Sequence, residues 1–425
     1  MTQADELKIA DSSCAKPEAP AEAARLRIDL NETAHASSDR FERFRLIGWW
    51  DQKKLAQAKV LVVGAGALGN EIVKNLALLG VGHLLIADMD RIENSNLSRS
   101  ILYRAADNGA FKAEVAARAA REIYPEIKAH AFVGNVAYDL GIGAFRWADV
   151  IIGGLDNREA RLAINRNCWR CNRPWIDGAI EQIQGTARVF VPDGPCYECT
   201  MSQTDWRLLQ ARRSCNLLSR EQMQSGHTPT TPTISSIIAG VQSQEALKLL
   251  HGLETIRGRG FVFDGLSTEA YQIEFQRKAN CYSHEILEQI VALDASALTS
   301  TAADLLAEAE NRLGPGAELE LARDVLHKLV CPGCGREETM FASLGRVPAS
   351  AASCTCDPNV RREPVTFHKI RGDEAFLHQP LATIGVPLFD VLIARAGDRA
   401  VGLELAADAP RVLGPLVDSE ALEWL

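Results

Sequence analysis

The sequence predicts an α/β protein, in which a Rossmann-like, doubly wound, mostly parallel sheet is followed by a smaller, zinc-containing α+β domain. Three observations support this prediction. Short apolar segments alternate with helical segments from about residue 59 to residue 252, as is typical of parallel sheets covered by helices. A glycine-rich turn joins the first apolar segment to a helix. After about residue 285 the alternation stops, and cysteines cluster among shorter strand-like pieces.

The predicted elements follow one another regularly along the chain. Residues 38–57 are predicted to be helical, with aromatic side chains that must pack against other residues. Strands are predicted at 59–63, 83–90, 127–134, 148–157, 259–265 and 270–276. Helices are predicted at 71–82, 111–125, 159–172, 233–252 and 299–314. We therefore expect a disordered tail at 1–24, a doubly wound domain at 25–285 and a second domain at 286–425.

The composition indicates an ordinary globular protein with an acidic balance. The chain has 425 residues, of which 47% are hydrophobic, and its formal net charge is −9. An acidic chain argues against a broad nucleic-acid surface, which would need a basic excess. We find no apolar run of the roughly 18–20 residues that a membrane helix needs, and no secretory signal. We therefore expect a cytoplasmic protein that does not associate with a membrane. In that reducing compartment the eleven cysteines are expected to be metal ligands or catalytic groups.

A glycine-rich turn marks the first candidate site. Gly64, Gly66 and Gly69 form the pattern G-x-G-x-x-G between the first predicted strand and its helix. Glycines allow a tight turn there, and the helix N-terminus favours phosphate. Asp88 ends the next strand, where a carboxylate can accept hydrogen bonds from ribose hydroxyls. These residues alone predict an NAD-binding dehydrogenase.

Polar residues farther along the chain change this prediction. They are Asn96, Arg99, Lys112, Asp156 and Asn157. Because ligands bind at the carboxyl ends of parallel strands, these groups are expected to converge. Two cations and a carboxylate suit a triphosphate with magnesium better than a dinucleotide. Each cation could instead be a solvated surface charge, and Asp156 could cap the next helix.

Four cysteines near the end of the chain predict a structural zinc site. They are Cys331, Cys334, Cys354 and Cys356. Cys-Pro-Gly-Cys is a knuckle-type turn, and a partner pair at this distance is typical of zinc ligands. A metal would help this modest core to fold. Cys168 and Cys171 lie on a predicted helix and are expected to pack in the hydrophobic core. Cys14 lies in the tail.

Five separated motifs resemble one known family. VLVVGAGALG, ADMDRIENSNLSR, FKAEVAAR, GLDN and CYEC occur in the order seen in the adenylation domain of ubiquitin-activating enzymes. The same ThiF-MoeB-HesA superfamily includes bacterial relatives that adenylate sulfur-carrier proteins in thiamine and molybdopterin synthesis. The resemblance covers about residues 38–285. It implies an enzyme that uses ATP and Mg²⁺ to adenylate the C-terminal glycine of a ubiquitin-like, β-grasp protein.

The resemblance also implies a role for each residue of the site. Gly66 is expected to lie close to ATP, Asp88 to bind the ribose and Asp156 to hold magnesium. The residues expected at ATP are Gly64, Gly66, Asp88, Asn96, Arg99, Lys112, Asp156 and Asn157. Asn96, Arg99 and Lys112 match the family's phosphate contacts. Lys112 and Arg99 are also expected to stabilise the charge that builds on the phosphates during the reaction.

The segment RFERFR resembles the family's N-terminal Arg-aromatic-x-Arg motif. Arg43 then matches the arginine that reaches the phosphates, often across a dimer interface, and a homodimer is expected. Because the segment continues differently from the usual family sequence, Arg45 remains a rival for that role.

The resemblance implies roles for five further residues. Relatives carry two Cys-x-x-Cys pairs that bind zinc, and the matching positions here are Cys196, Cys199, Cys281 and His284. Three cysteines and one histidine are an ordinary structural zinc set. Relatives carry their thioester- or persulfide-forming cysteine in the crossover region, where this chain has Cys215 after two arginines that could favour its thiolate. An incidental loop cysteine is the alternative.

Two enzymatic functions and one structural function follow. The first is an activating enzyme that adenylates a ubiquitin-like protein, forms a thioester at Cys215 and passes it to a conjugating enzyme, as in compact bacterial conjugation systems. The second is a sulfur-carrier adenylyltransferase that forms no thioester. The third is a non-enzymatic partner subunit, against which the joint presence of Arg99, Lys112 and Asp156 argues.

Overall fold

The computed structural model describes residues 39–207, 229–343, 347, 349–357 and 360–417. The predicted tail at 1–24, which includes Cys14, and the crossover cysteine Cys215 lie outside the described residues. The chain divides after Trp50 into two compact units. In the described part of the chain, no helix is both long and apolar enough to cross a membrane.

The first unit contains a single short turn of helix between residues 39 and 50, the part that the structure describes. This turn is the 3₁₀ helix Glu42–Leu46, and Ile47 ends it with extended backbone at φ −87° and ψ 108°. The rings of Phe44 and Trp50 pack with their centroids 4.6 Å apart. The prediction of one helix over 38–57 is wrong, because helix α1 (Gln52–Gln57) begins separately after residue 51.

The second unit is built on an eight-stranded sheet. Its strands are β1 (Lys59–Val63), β2 (His83–Asp88), β3 (Lys128–Val133), β4 (Val150–Gly153), β5 (Trp175–Glu181), β6 (Gln184–Phe190), β7 (Arg259–Asp264) and β8 (Glu269–Glu274). Their order is β3-β2-β1-β4-β5-β6-β7-β8. In this order, each neighbouring pair among β3, β2, β1, β4 and β5 is parallel. Each neighbouring pair among β5, β6, β7 and β8 is antiparallel. The predicted α/β fold with a large, mostly parallel sheet is confirmed, and an antiparallel extension widens it.

Helices cover the apolar strands of this sheet. In the described part of the unit they are α1, α2 (Ala67–Leu78), α3 (Lys112–Ile123), α4 (Ile142–Trp147), α5 (Arg158–Arg170), α6 (Tyr197–Thr200) and α7 (Pro232–His251). Helix α2 packs against α3 and α7, whereas α4 packs against α5. Helix α7 has clear end signals: Thr231 caps its start, and Gly252 ends it at φ +72°.

The hairpin of β5 and β6 has no counterpart in the sequence prediction. Its strands pair from Trp175 with Phe190 to Glu181 with Gln184, which leaves a two-residue turn. That turn places Gln182 at φ +53°, although Asn-Gly or Asp-Gly would be the usual signal for such a conformation. The local sequence therefore contains no signal that predicts this hairpin.

Residues 290–405 form a second sheet of six strands. They are β9 (Ile290–Leu293), β10 (Glu318–Val330), β11 (Glu337–Ser343), β12 (Glu363–Ile370), β13 (Val391–Ala396) and β14 (Arg399–Leu405). The order is β11-β10-β13-β14-β9, and β12 also pairs with β10. All pairs except β14 with β9 are antiparallel. Helix α8 (Ala302–Leu313) packs against β10 and β13.

The last helical residues pack into the core of the first sheet. They comprise helix α9 (Ala409–Leu413) and the turn that follows it. Leu416 is fully buried and belongs to the same hydrophobic cluster as Leu61 of β1. The Ile142 amide of α4 also donates to Asp390 at 2.8 Å. Residues before and after position 285 therefore share one core, and the domain boundary there stays a prediction.

Candidate nucleotide site and cysteine clusters

A cleft of about 700 Å³ lies where the parallel strands of the first sheet end. It is lined by Gly64, Gly66, Asp88, Asn96, Arg99, Lys112 and Asp156. Asn157 is not part of its wall. The Asn157 side chain instead accepts hydrogen bonds from the amides of Glu159 and Ala160 and caps α5. Asn157, not Asp156, therefore caps this helix. The side chain of Asp156 is exposed and lines the cleft.

Close packing explains two glycines of the turn but not the third. Gly64 has φ +91°, and a Cβ there would lie 2.6 Å from the carbonyl oxygen of Gly154. A Cβ on Gly69 would lie 1.9 Å from the Gly64 oxygen. A Cβ on Gly66 would meet no atom within 4 Å. Because Gly66 lines the cleft, the space that it leaves open is space for a ligand.

Backbone amides hold Asp88 at the end of β2. Its Oδ2 accepts from the Ala65 amide and its Oδ1 from the Asp90 amide, both at 2.7 Å. Burial raises the pKa of Asp88, and the Ala65 amide and the Lys112 charge offset part of this rise. These bonds fix the orientation of the carboxylate at the cleft, as suits an acceptor for ribose hydroxyls.

The side chains predicted to contact the phosphates each form a hydrogen bond or ion pair with a neighbouring residue. Lys112 Nζ lies 2.9 Å from Asp90 Oδ2. A guanidinium nitrogen of Arg99 donates to the Ser95 carbonyl at 2.9 Å, and the Asn96 side-chain oxygen accepts from a backbone amide at 3.0 Å. Sequence reasoning missed Asp90, although an acid two residues after Asp88 was a visible signal.

Sequence reasoning also missed the opposite wall of the cleft. The residues on that wall include Arg158, Arg161, Glu181, Gln184, Thr186, Val262, Asp264 and Tyr271. Several come from β5 and β6, which the sequence did not predict. Arg161 could have been found, because it lies one helical turn after Asn157 on a predicted helix.

A buried carboxylate, Asp177, forms ion pairs with Arg161 of this wall and with Arg188. Arg161 Nε lies 2.9 Å from Asp177 Oδ1, and Arg188 forms an ion pair with Oδ2. Arg161 also donates to the Gly178 carbonyl at 2.9 Å. Asp177 is fully buried, so the loss of one partner would leave an uncompensated charge in the core. The network fixes α5, whose N-terminus follows Asp156, against β5.

Arg43 and its rival Arg45 both lie on the 3₁₀ turn of the first unit. Both residues are exposed, and Arg45 forms an ion pair with Asp39. A contact of either arginine with phosphates stays a prediction.

Cys196, Cys199, Cys281 and His284 form one cluster, in which all four ligand atoms lie within 4.8 Å of one another. The Sγ atoms of Cys196 and Cys281 are 3.5 Å apart, and Cys199 Sγ lies 3.3 Å from His284 Nε2. Around a tetrahedral zinc with Zn–S bonds of about 2.3 Å, two sulfurs lie about 3.8 Å apart. The donor set and its spacing therefore fit zinc, and they include His284 in place of a fourth cysteine.

Neighbouring side chains orient the ligands of this cluster. The ring of His284 stacks on Trp169, with the centroids 5.7 Å apart. The buried Glu198 accepts a hydrogen bond from Ser283 and lies 3.3 Å from an Arg166 nitrogen. Such contacts behind the ligands fix their orientation, and these join α6 to the turn that carries His284.

Cys331, Cys334, Cys354 and Cys356 form a second cluster of the same size. The Sγ atoms of Cys331 and Cys356 are 3.5 Å apart, and those of Cys334 and Cys354 are 3.8 Å apart. Gly335 follows the first pair at φ +70° and allows the chain to turn from β10 into β11. Four thiols at these distances fit a structural zinc ion.

Two further cysteines, Cys168 and Cys171, lie at the C-terminal end of α5. Cys168 is fully buried in the core, as expected, and Cys171 is half-buried. Burial raises the pKa of Cys171 to about 12. Because the thiolate is the reactive form, this thiol is poorly suited to nucleophilic chemistry. Cys215 lies outside the described residues, so a place for it near the cleft stays a prediction.

The site combines a glycine turn on a parallel sheet, an acid at the end of the second strand and cations at one cleft. This arrangement typically binds nucleotides. Residues 38–283 match the ThiF family. The chain belongs to the ThiF family, and this finding confirms the resemblance of its motifs. The match ends at residue 283 and does not include the six-stranded sheet.

Named relatives are each similar to a little over half of the chain. A SAMP-activating enzyme E1 from Haloferax volcanii is 30% identical over 254 residues, which cover 57% of this chain and 87% of that protein. The sulfur carrier protein ThiS adenylyltransferase of Escherichia coli is 29% identical over 232 residues, covering 54% and 87%. The adenylyltransferase and sulfurtransferase MOCS3-1 of Zea mays is 32% identical over 235 residues, covering 55% and 48%. The chain thus spans about half the length of the maize relative.

Proposed function

We propose that this protein is an adenylyltransferase that activates the C-terminal glycine of a ubiquitin-like protein with ATP and Mg²⁺. The strongest support is the cleft, which brings Asp88, Arg99, Lys112 and Asp156 to one ligand-sized space. Membership in the ThiF family agrees with this proposal. So do relatives that are named as adenylyltransferases of sulfur carriers or as a SAMP-activating enzyme.

ATP is proposed to lie along the glycine turn, with Asp88 at the ribose and Asn96, Arg99 and Lys112 at the phosphates. A carboxylate oxygen of the substrate glycine attacks the α-phosphorus, and the bond from that phosphorus to pyrophosphate breaks. The products are an acyl-adenylate and pyrophosphate. Negative charge grows on the phosphates in the transition state, so cations held in place beforehand lower the barrier.

Asp156 fits a magnesium ligand. Its exposed carboxylate lines the cleft, and Mg²⁺ prefers oxygen ligands from one or two carboxylates together with substrate phosphates and water. A bound Mg²⁺ would neutralise charge on the phosphates. Asn157, the residue after Asp156, would support this position by capping α5.

Arg43 is proposed to reach the phosphates across the interface of a homodimer.

The wall that β5 to β8 form is proposed to hold the C-terminal tail of the substrate protein. This wall mixes apolar and polar side chains, among them Val262, Thr186 and Tyr271. Every residue of the edge strand β8 is exposed. An extended tail could run along this wall and bring its terminal carboxylate to the α-phosphate.

Both cysteine clusters are proposed to hold structural Zn²⁺. Each offers four protein ligands, which leaves no open position for substrate chemistry. The first ion would tie Cys196, which precedes α6, and Cys199 of α6 to the segment at Cys281. The second would close the turn between β10 and β11.

After adenylation, Cys215 is proposed to attack the acyl-adenylate carbonyl. AMP leaves, a thioester forms, and a conjugating enzyme accepts the modifier. The alternative is a sulfur-carrier adenylyltransferase that makes no thioester. The names of the relatives fit both functions, and the arginines at 212 and 213 favour the first because positive charge stabilises a thiolate.

One experiment tests the proposal and separates the two functions. The full chain is mixed with ubiquitin-like proteins ending in glycine, ATP and Mg²⁺, and both pyrophosphate exchange and non-reducing gels are recorded. Exchange that disappears when the terminal glycine is deleted supports adenylation, and no exchange with any such protein would contradict it. An adduct that a thiol removes, and that Cys215→Ala but not Cys14→Ala abolishes, supports the thioester. Exchange without an adduct supports the alternative.

A further inference from the structure

The carbonyl oxygen of Ala65, in the middle of the glycine turn, accepts hydrogen bonds from two buried side chains. The donors are Asn70 Nδ2, at 2.7 Å, and the Tyr103 hydroxyl. Asn70 is fully buried, and Tyr103 is 4% exposed. Burial also raises the pKa of Tyr103, so its hydroxyl keeps the proton that it donates.

These two bonds determine the direction of the next amide. A trans peptide is planar, and its N–H points opposite to its C=O; no cis peptide occurs among the described residues. Because the Ala65 carbonyl points toward Asn70 and Tyr103, the Gly66 N–H points away from them. Among the residues that the structure describes, none accepts a hydrogen bond from this N–H. Gly66 lines the cleft.

The same side chains join the turn to the segments that carry the cations. Asn70 Oδ1 accepts from the Leu102 amide at 2.9 Å, just after the segment with Asn96 and Arg99. The Tyr103 hydroxyl lies 3.3 Å from the carbonyl of Lys112, where α3 begins. Asn70 and Tyr103 thus set the spacing between the turn and both cationic segments.

We propose that Asn70 and Tyr103 are positioning residues that aim the Gly66 amide at a phosphate of the bound nucleotide. This inference rests on the ATP site of the proposed function. Removal of either donor lets the 65–66 peptide rotate, which weakens the amide's bond to phosphate. The hydrogen bonds of Asp88 to the ribose involve other atoms and are expected to persist.

Two variants test this role with little change of shape. Tyr103→Phe keeps the ring and removes the hydroxyl, and Asn70→Asp keeps the acceptor for Leu102 while replacing the amide donor. Dissociation constants for ATP, AMP and adenosine are measured by competition with a fluorescent ATP analogue. We expect affinity for ATP and AMP to fall roughly 3- to 10-fold in Tyr103→Phe, the range for one lost hydrogen bond, and further in Asn70→Asp. Adenosine affinity should change less than about twofold.

Matched controls lie elsewhere in the same unit. Tyr124→Phe removes the hydroxyl that donates to Glu126 at 2.9 Å. Asn75→Asp changes an amide on the same helix as Asn70, at 3.4 Å from Ser243 Oγ. Both controls should bind ATP as the unchanged protein does. Circular dichroism confirms that each variant is folded.

Three outcomes would overturn the inference. Unchanged ATP and AMP affinity in Tyr103→Phe would show that the Ala65 carbonyl needs no second donor to direct the amide. An equal loss of ATP and adenosine binding would show general damage to the cleft. The third is failure of the unchanged protein to bind ATP, which contradicts the proposed function itself and is distinct from the first two.

Discussion

The ammonium of Lys112 lies 2.9 Å from the carboxylate of Asp90 beside the nucleotide cleft. The two residues come from opposite ends of a long loop, since Asp90 follows β2 and Lys112 opens α3. The Lys112 amide also donates to the Asp90 carbonyl at 2.9 Å. Lys112 thus contacts Asp90 through both its backbone and its side chain. Lys112 is therefore held next to the place where phosphates are proposed to lie.

Lys112→Ala is expected to lower pyrophosphate exchange by about 100-fold or more, because a cation at the developing charge contributes several kcal/mol to the barrier. Arg99→Ala should have a similar effect. Lys128→Ala, at an exposed position of β3, is the matched control and should leave exchange unchanged. Near-normal exchange in both Lys112→Ala and Arg99→Ala, with folded protein, would show that these cations are surface charges.

ATP binding is expected to weaken at mildly acidic pH because of Asp88. Burial raises the pKa of this carboxyl above its usual value of about 4, so it becomes protonated at a higher pH than an exposed aspartate. A protonated carboxyl accepts ribose hydroxyls less well, and affinity should fall as the pH decreases through this raised pKa. ATP dissociation constants measured from pH 7.5 down to about pH 5 test this. Asp88→Asn should remove this pH dependence, whereas Asp193→Asn, at an exposed surface ion pair, should retain it.

The purified protein is expected to contain two equivalents of zinc. Cys331→Ser with Cys334→Ser should remove one equivalent, and Cys196→Ser with Cys199→Ser the other, because each pair supplies half of one cluster. His284→Cys should keep both ions, since a four-cysteine site binds zinc equally well. Metal analysis and thermal unfolding before and after chelation provide the measurements. A folded protein without metal, unaffected by a chelator, would refute both sites.

Leu416→Ala is expected to lower the free energy of unfolding by about 2–4 kcal/mol, the usual cost of a cavity in a packed core. Leu416 is fully buried in the cluster that includes Leu61. Leu266→Ala, whose side chain is 79% exposed, should change the unfolding free energy by less than about 0.5 kcal/mol. Denaturant titrations of the two variants would show whether the C-terminal turn supports the first sheet. Equal stability would mean that the turn contributes little.

Local sequence patterns predicted six strands of the first sheet and the longer helices, but not the individual strands of the second sheet. Strands β1 to β4 are short apolar runs, and helices α2, α3, α5, α7 and α8 follow apolar periodicity, so neighbouring residues contain the signal. Strands β5 and β6 have no such signal, because their turn at Gln182 uses a conformation that other residue types normally mark. The helix predicted for 38–57 failed because extended backbone at Ile47 interrupts it.

Motifs also identified much of the candidate site, because ligand-type residues stand at regular positions after strands. The seven residues named at the cleft were all visible in this way. From the residues alone, Asp156 could be either a ligand or the cap of the next helix, since an aspartate can cap a helix. The side-chain contacts of Asn157 with the amides of α5 decided the question.

The sequence by itself determined the α/β class, the family motifs and the residue types that can bind nucleotide or zinc, because these depend on local order along the chain. Only the tertiary structure decided that β5 to β8 form the second wall of the cleft. It likewise decided that Leu416 packs with Leu61, and it showed that Cys281 and His284 lie beside Cys196 and Cys199, which only the family resemblance had grouped. These relationships join residues far apart in the chain, and the packing of the whole second unit brings them together.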